Sequence, residues 1–233
     1  MSTVSPALLT VLESAARLQE LVPDAVLVGG SAAALYAGHR DSFDHAHVLA
    51  DHRERFDAVL EALESEGDWV TNRVTPGRII LGRLGDIAAG VRQLIRRTPL
   101  EVREIVLPSG RSLRVPTAAE AIRVKAFLIV ARNRTRDYLD VVALANRYGQ
   151  ERAAGVLASI DDYYADQRAE TDAGSLGVAT QLARQLSDPR PTAPSVTREL
   201  SSYRNLRPEC SDWRDAKFAC LELATAMLDE RDE

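Results

Sequence analysis

Gly29-Gly30-Ser31, followed by His39-Arg40-Asp41-Ser42-Phe43-Asp44-His45-Ala46, gathers the residue types that handle phosphate. A small-residue turn that opens a helix offers backbone N–H groups to an anion, and a carboxylate on the next strand offers oxygen to a hard cation. In that order the elements are the ground plan of a nucleoside triphosphate site. A cation held by two carboxylates needs a second Asp two residues after Asp44, about 6–7 Å along the same strand face. Ala46 stands there.

The elements that must position these residues are readable. Asp24–Val28 is a short apolar run ending in two glycines and reads as a buried strand. Ser31 is placed to cap a helix over Ala32–Ala37, with Gly38 as its stop. Phe43–Leu49 reads as a strand with Asp44, Ala46 and Val48 on one face and Phe43, His45 and His47 on the other. Each piece alone has an ordinary explanation as a turn or a solvated acid. The fixed order of strand, glycine turn, helix, strand and Asp makes the combination specific.

A second constellation lies downstream. Pro116-Thr117 with Glu120 reads as a helix start with a capping-box acid, and Ala121, Ile122, Val124, Leu128 and Ile129 continue at helical spacing. Lys125 falls on or beside that buried stripe, where an ammonium is costly without a partner. It is one of two lysines, with Lys217, among 29 basic residues. A compact ammonium meets phosphate as a point charge that Arg does not replace. Asp137 and Asp140 share a face of the following helix, so one of them is placed to orient Lys125 while the other reads as an exposed acid.

The segment Val28–Asp44, with Arg40, Ser42 and Asp44 in its pattern, resembles the first motif of the AbiEii/MenT-like nucleotidyltransferase toxins, of the DNA polymerase β-type superfamily. Leu113–Lys125 and Arg132–Leu144 resemble the second. The resemblance covers roughly residues 25–148 and departs from the family at Ala46. It implies a nucleotidyltransferase using Mg2+ or Mn2+ and an NTP, with an RNA acceptor (the 3′ end of tRNA), a cognate antitoxin and a cytoplasmic place of work. It implies catalytic roles for Asp44, Lys125 and Asp137 and for position 46. Nucleotide contacts fall to Gly29, Gly30, Ser31, Arg40, Ser42 and Lys125, the metal to Asp44, and a supporting role to Asp140. Ala46 impairs that chemistry. It is either a natural loss or a replacement that disarms a toxin, and the intact motif around it favours replacement. The alternatives are a non-catalytic nucleotide- or partner-binding protein on the same fold, and a small-molecule nucleotidyltransferase modifying an antibiotic.

Composition sets the frame. At 233 residues and 45% hydrophobic content the chain builds one domain, or one with an appendage. No run approaches the ~20 apolar residues of a membrane span, and residues 1–6 lack the basic and apolar regions of a signal peptide. Cys210 and Cys220 read as free thiols of a reducing compartment. A net charge of −5 argues against broad coating of nucleic acid, although Arg92, Arg96, Arg97, Arg103, Arg111, Arg114, Arg123, Arg132, Arg134 and Arg136 form a candidate polyanion patch. All four histidines fall within fourteen residues, but zinc wants three or four convergent ligands, and His45 and His47 read as packed residues of the sheet's far side.

The expected fold is α+β, a mixed-sheet nucleotidyltransferase-like core over 1–116 and a helical region over 117–233. Helices are expected near 6–21, 51–66, 117–131, 135–147, 150–165, 174–187, 194–204 and 211–230. Strands are expected at 69–74, 78–84, 86–92, 100–107 and 112–115, besides the two that flank the glycine turn.

Overall fold

Pro6 occupies the first turn of helix α1, Pro6–Leu21, and the Ser5 hydroxyl accepts the Leu8 N–H at 3.2 Å, so the helix starts where its cap and its proline dictate. The computed structural model describes residues 4–171, 174–192, 197–198, 200, 203 and 205–232. Two bodies emerge: residues up to Ile95 together with Pro99–Thr117, and Arg96–Thr98 together with Ala118 onward.

The first body is built on a five-stranded mixed sheet. After α1 come β1 (Val26–Val28), α2 (Gly29–Ala37), β2 (Asp44–Leu49), α3 (Phe56–Glu64), β3 (Trp69–Thr75), β4 (Ile79–Leu84) and β5 (Ile87–Gln93). The strand order is β1-β2-β5-β4-β3, parallel between β2 and β5 and antiparallel elsewhere. Alternation along the strands splits the sheet into two faces. His45, His47 and Leu49 of β2, Ala89 and Val91 of β5, and Ile80 and Leu84 of β4 are buried. Leu49, Ala89, Val91, Ile80 and Leu84 pack with Leu18 and Val22 and with Phe56, Val59 and Leu63 of α3. The opposite face carries Asp44, Ala46, Ala88, Gly90, Arg92, Leu81 and Arg73. A hairpin of β6 (Val102–Val106) and β7 (Ser112–Pro116) joins a second core with α1, β1 and α2 through Leu107, Leu113, Val115, Leu12, Leu27 and Ala34.

Two local expectations change. The helix expected over 51–66 begins only at Phe56, because residues 51–55 form a polar turn held by Arg55 to Asp51 and Asp24. Ser31 does not cap α2. The helix begins at Gly29 and Ser31 lies inside it, while Gly38, in the left-handed region at φ 59°, ends it as expected.

The second body holds α4 (Ala118–Arg132), α5 (Thr135–Tyr148), α6 (Gln150–Ala158), the single turn α7 (Asp161–Tyr164), α8 (Val178–Ser187) and the C-terminal helix α9 (Trp213–Asp232). A two-stranded ribbon, β8 (Ala169–Thr171) and β9 (Gly174–Leu176), interrupts what reads as uniform helix. Each of its strands has three residues, too few for a period-2 signal. The helix expected at 194–204 falls mostly outside the described residues.

Glu120 is not a capping-box acid. Its buried carboxylate receives Arg96 Nη2 at 2.8 Å and Arg123 Nη1 at 2.9 Å. The Arg123 guanidinium lies 3.8 Å from the Tyr163 ring centroid and that of Arg96 4.8 Å from Tyr164, which stacks on Phe127. Cys210 and Cys220 are not joined in a disulfide, and burial pushes the Cys220 thiol up to about 12. No helix among the described residues is long and apolar enough to cross a membrane.

Candidate functional site

The turn at Gly29 exists because its φ of 79° lies in the left-handed region, where side chains are disfavoured. It brings the start of α2 against β2: a Cβ on Gly29 would sit 3.8 Å from the Ala46 Cβ. The glycine turn and position 46 are therefore neighbours. Gly30 is required by a different contact. A Cβ there would meet the Arg40 guanidinium at 2.7 Å and the Ser42 hydroxyl at 3.1 Å. Arg40 is buried, and its Nη1 donates to the Asp41 carbonyl at 3.0 Å. A guanidinium packed on the first turn of a helix adds positive charge to the positive end of the helix dipole.

The two serines are turned inward. Ser31 and Ser42 are each 1% exposed. The Ser31 hydroxyl donates to the Asp44 carbonyl at 2.5 Å and lies 3.0 Å from the Ser42 hydroxyl, so both lock the turn to the strand. Asp44 is exposed at the strand start.

The sheet face that carries Asp44 forms a groove of about 280 Å³. Its lining includes Asp44, Ala46, Asn72, Arg73, Ala88, Gly90 and Arg92. Register explains the arrangement. Asp44 pairs with Ala88, Ala46 with Gly90, Gly90 with Leu81, and Leu81 with Arg73. A floor of small residues thus runs from Asp44 toward Arg92, and Leu81 stands between that floor and Arg73. Asn72, Arg73, Ala88 and Gly90 escaped the sequence reading. The available signal was the alternation in Ala88-Ala89-Gly90-Val91-Arg92, which puts two small residues and an Arg on one face.

The donor set does not fit a divalent cation held by paired carboxylates. Asp44 is the groove's single carboxylate, its strand neighbour is Ala46, and the facing residues of β5 are Ala88 and Gly90. Among the described residues no group of three or more His, Cys, Asp or Glu is placed to hold a metal. On the covered face, His45 Nε2 lies 3.1 Å from the Ser14 hydroxyl and its ring meets His47 edge-on at 5.2 Å. Burial lowers His45 to about 4, with Asp44 pulling weakly the other way, and burial lowers His47 well below the usual histidine value.

Lys125, Asp137 and Asp140 come together inside the second body. The ammonium lies 2.5 Å from Asp140 Oδ2 and 3.4 Å from Asp137 Oδ1. Arg132 grips Asp137 through Nε and Nη2, each at 2.7 Å. Both carboxylates are fully buried and Lys125 is 2% exposed, so neither Asp is an exposed acid. Of the expected arginine patch, Arg96 and Arg123 are buried, while Arg92, Arg97, Arg103, Arg111 and Arg134 are exposed. Besides Arg96, Arg123 and Arg132, Arg111 pairs with Glu13 and Glu20, and Arg114 with Asp24, because each guanidinium has a carboxylate within reach.

No family model matches the sequence. The chain is 31% identical over 94% of its length to the heme uptake protein MmpL11 of Mycobacterium tuberculosis, and 30% identical over 95% to the mycolic acid-containing lipids exporter MmpL11 of Mycolicibacterium smegmatis. It spans only 23% and 22% of those relatives. Among solved structures it is similar to MenT4, a nucleotidyltransferase toxin from Mycobacterium tuberculosis, with a TM-score of 0.54 and 16% identity, covering 97% of this chain and 85% of that one. That likeness shows the fold: a mixed-sheet nucleotidyltransferase core with a helical C-terminal half.

Proposed function

We propose that this chain binds a nucleoside triphosphate on a nucleotidyltransferase scaffold and, with Ala at position 46, does not transfer it. The observation that carries this reading is the groove floor: Gly29 and the start of α2 abut it, while Ala46, Ala88 and Gly90 stand where further carboxylates would have to project. Transfer to an acceptor hydroxyl needs stabilisation of the charge developing on the phosphates, and with one carboxylate the metal that would supply it is short of a protein ligand. The MmpL11 relatives fit a binding module, since a stretch like this chain forms part of proteins named for uptake and export. The test is incubation of the protein with each labelled NTP, Mg2+ and tRNA, beside equilibrium NTP binding. Binding without label transfer is expected. Transfer by the unaltered chain, or no NTP affinity, defeats the reading.

A second reading is favoured by the whole-chain likeness to MenT4. In it the chain is a toxin whose competent form carries Asp at 46, transfers NMP to the 3′ end of tRNA in the cytoplasm, and is held by an antitoxin. Lys125 and Asp137 serve that reaction, and Asp140 orients the lysine. Label appearing on tRNA with Ala46→Asp, and only then, supports this second reading. A folded Ala46→Asp protein that labels nothing removes it.

A further inference from the structure

Resting on the nucleotide-binding reading, we infer that the groove holds the polyphosphate end of its ligand through guanidinium groups, without a divalent cation. Arg73 enters the lining from β3 and Arg92 from β5, both exposed, with Asn72 beside them and Asp44 as the single acid. The His45 side chain lies on the covered face against Ser14 and brings no charge to the groove. Two cations face one anion. That balance repels a divalent cation and attracts a polyanion.

Shape agrees with charge. The floor of Ala46, Ala88 and Gly90 puts no side chain longer than a methyl group on β2 and β5 between Asp44 and Arg92, and Leu81 of β4 adds an apolar side chain on the way to Arg73. The cavity of about 280 Å³ lies at the low end for drug-sized ligands, so it takes the phosphates while the nucleoside extends outward. Guanidinium presents a planar fork of donors that matches phosphate oxygens in pairs, which an ammonium does not. In a metal-dependent site the cation neutralises the phosphates. Here Arg73 and Arg92 take that task, and a second carboxylate at 46 would oppose them. The arginines and the alanine act in the same direction on the groove's charge.

Calorimetric titration of ATP into the full-length protein, once in EDTA and once in Mg2+, tests this. The two Kd values are expected to agree within about a factor of two, and inorganic tripolyphosphate is expected to compete. Arg73→Ala and Arg92→Ala should each weaken ATP roughly 10- to 100-fold, the loss of a charge-assisted contact, with circular dichroism confirming the fold. Arg17→Ala is the control. Arg17 sits on α1, which covers the other sheet face, and it pairs with Glu66 and Asp68. Binding that needs Mg2+ overturns this inference and leaves the nucleotide-binding reading standing. Unchanged affinity in both groove variants overturns it by placing the ligand elsewhere. Absence of ATP binding in both buffers defeats the underlying reading along with it.

Discussion

The open face of the sheet and the Lys125 cluster treat charge in opposite ways. On the open face Asp44, Arg73 and Arg92 stand exposed around a floor of Ala46, Ala88, Gly90 and Leu81. In the helical body Lys125, Asp137 and Asp140 are sealed from water, and with Arg132 on Asp137 two positive charges meet two negative ones. An exposed charge contributes little to folding and is replaceable at small cost, whereas a buried set stands or falls together. The groove is therefore free to lose a carboxylate with the fold intact. Lys125, in contrast, has a structural reason to persist whatever happens in the groove. Its retention in an arginine-rich chain is no sign of catalysis by itself.

The sharpest way to break this contrast is Lys125→Met. Removing the ammonium breaks the buried ion pair with Asp140, which costs about 3–5 kcal/mol. Urea unfolding should show a loss of unfolding free energy of that size. A loss below about 1 kcal/mol would mean the cluster is not the closed set described here.

Acid probes the covered face of the same sheet. His45 has a folded pKa of about 4 against 6.5 unfolded, and His47 is also lowered, so the unfolded chain binds more protons in between. Stability is full above pH 6.5 and falls as the pH drops toward 4, by on the order of 3 kcal/mol from His45 alone. His45→Gln should flatten that decline in a series of unfolding curves. An undiminished slope in this variant would contradict the assignment.

Gly82→Ala tests how tightly the covered face is packed. A Cβ at Gly82 would lie 2.5 Å from both the Trp69 ring and the Val70 carbonyl oxygen. A loss of roughly 1–3 kcal/mol is expected from thermal unfolding. A neutral result would show that Trp69 gives way.

Ala46→Asp should do least to stability, within about 0.5 kcal/mol, because the new carboxylate projects over the open groove. It should nevertheless reduce metal-free ATP affinity, since it places a negative charge beside the phosphates. Destabilisation as large as that of Lys125→Met would erase the distinction between the two regions.

Much of this was legible in the sequence, and the failures have causes. Pro6 and Leu21 bound α1 as read, and Thr75-Pro76-Gly77 turns the β3–β4 hairpin where glycine and proline demanded it. Ser31 misled because a serine after two glycines suits both a helix cap and a buried hydroxyl. Only the approach of the Asp44 carbonyl decides between them. Lys125 was rightly expected to need a partner. That it has two follows from the i, i+3 pair Asp137 and Asp140 both facing inward, which spacing permits but does not require. Arg73 was invisible because its relation to Ala46 passes across β5 and β4, and sheet order is not local information.

Arg96–Thr98 interrupts the first body in sequence yet belongs with the second, where Arg96 meets Glu120. The two bodies are thus threaded through each other along the polypeptide, not strung end to end. A gene cut at residue 117 would not yield two intact halves. The helical fragment would keep Glu120 and Arg123 but lose the arginine between the carboxylate and Tyr164. A fragment that is to keep the Arg96–Glu120 pair therefore has to span both bodies, so the smallest intact piece of chain is larger than either unit of packing.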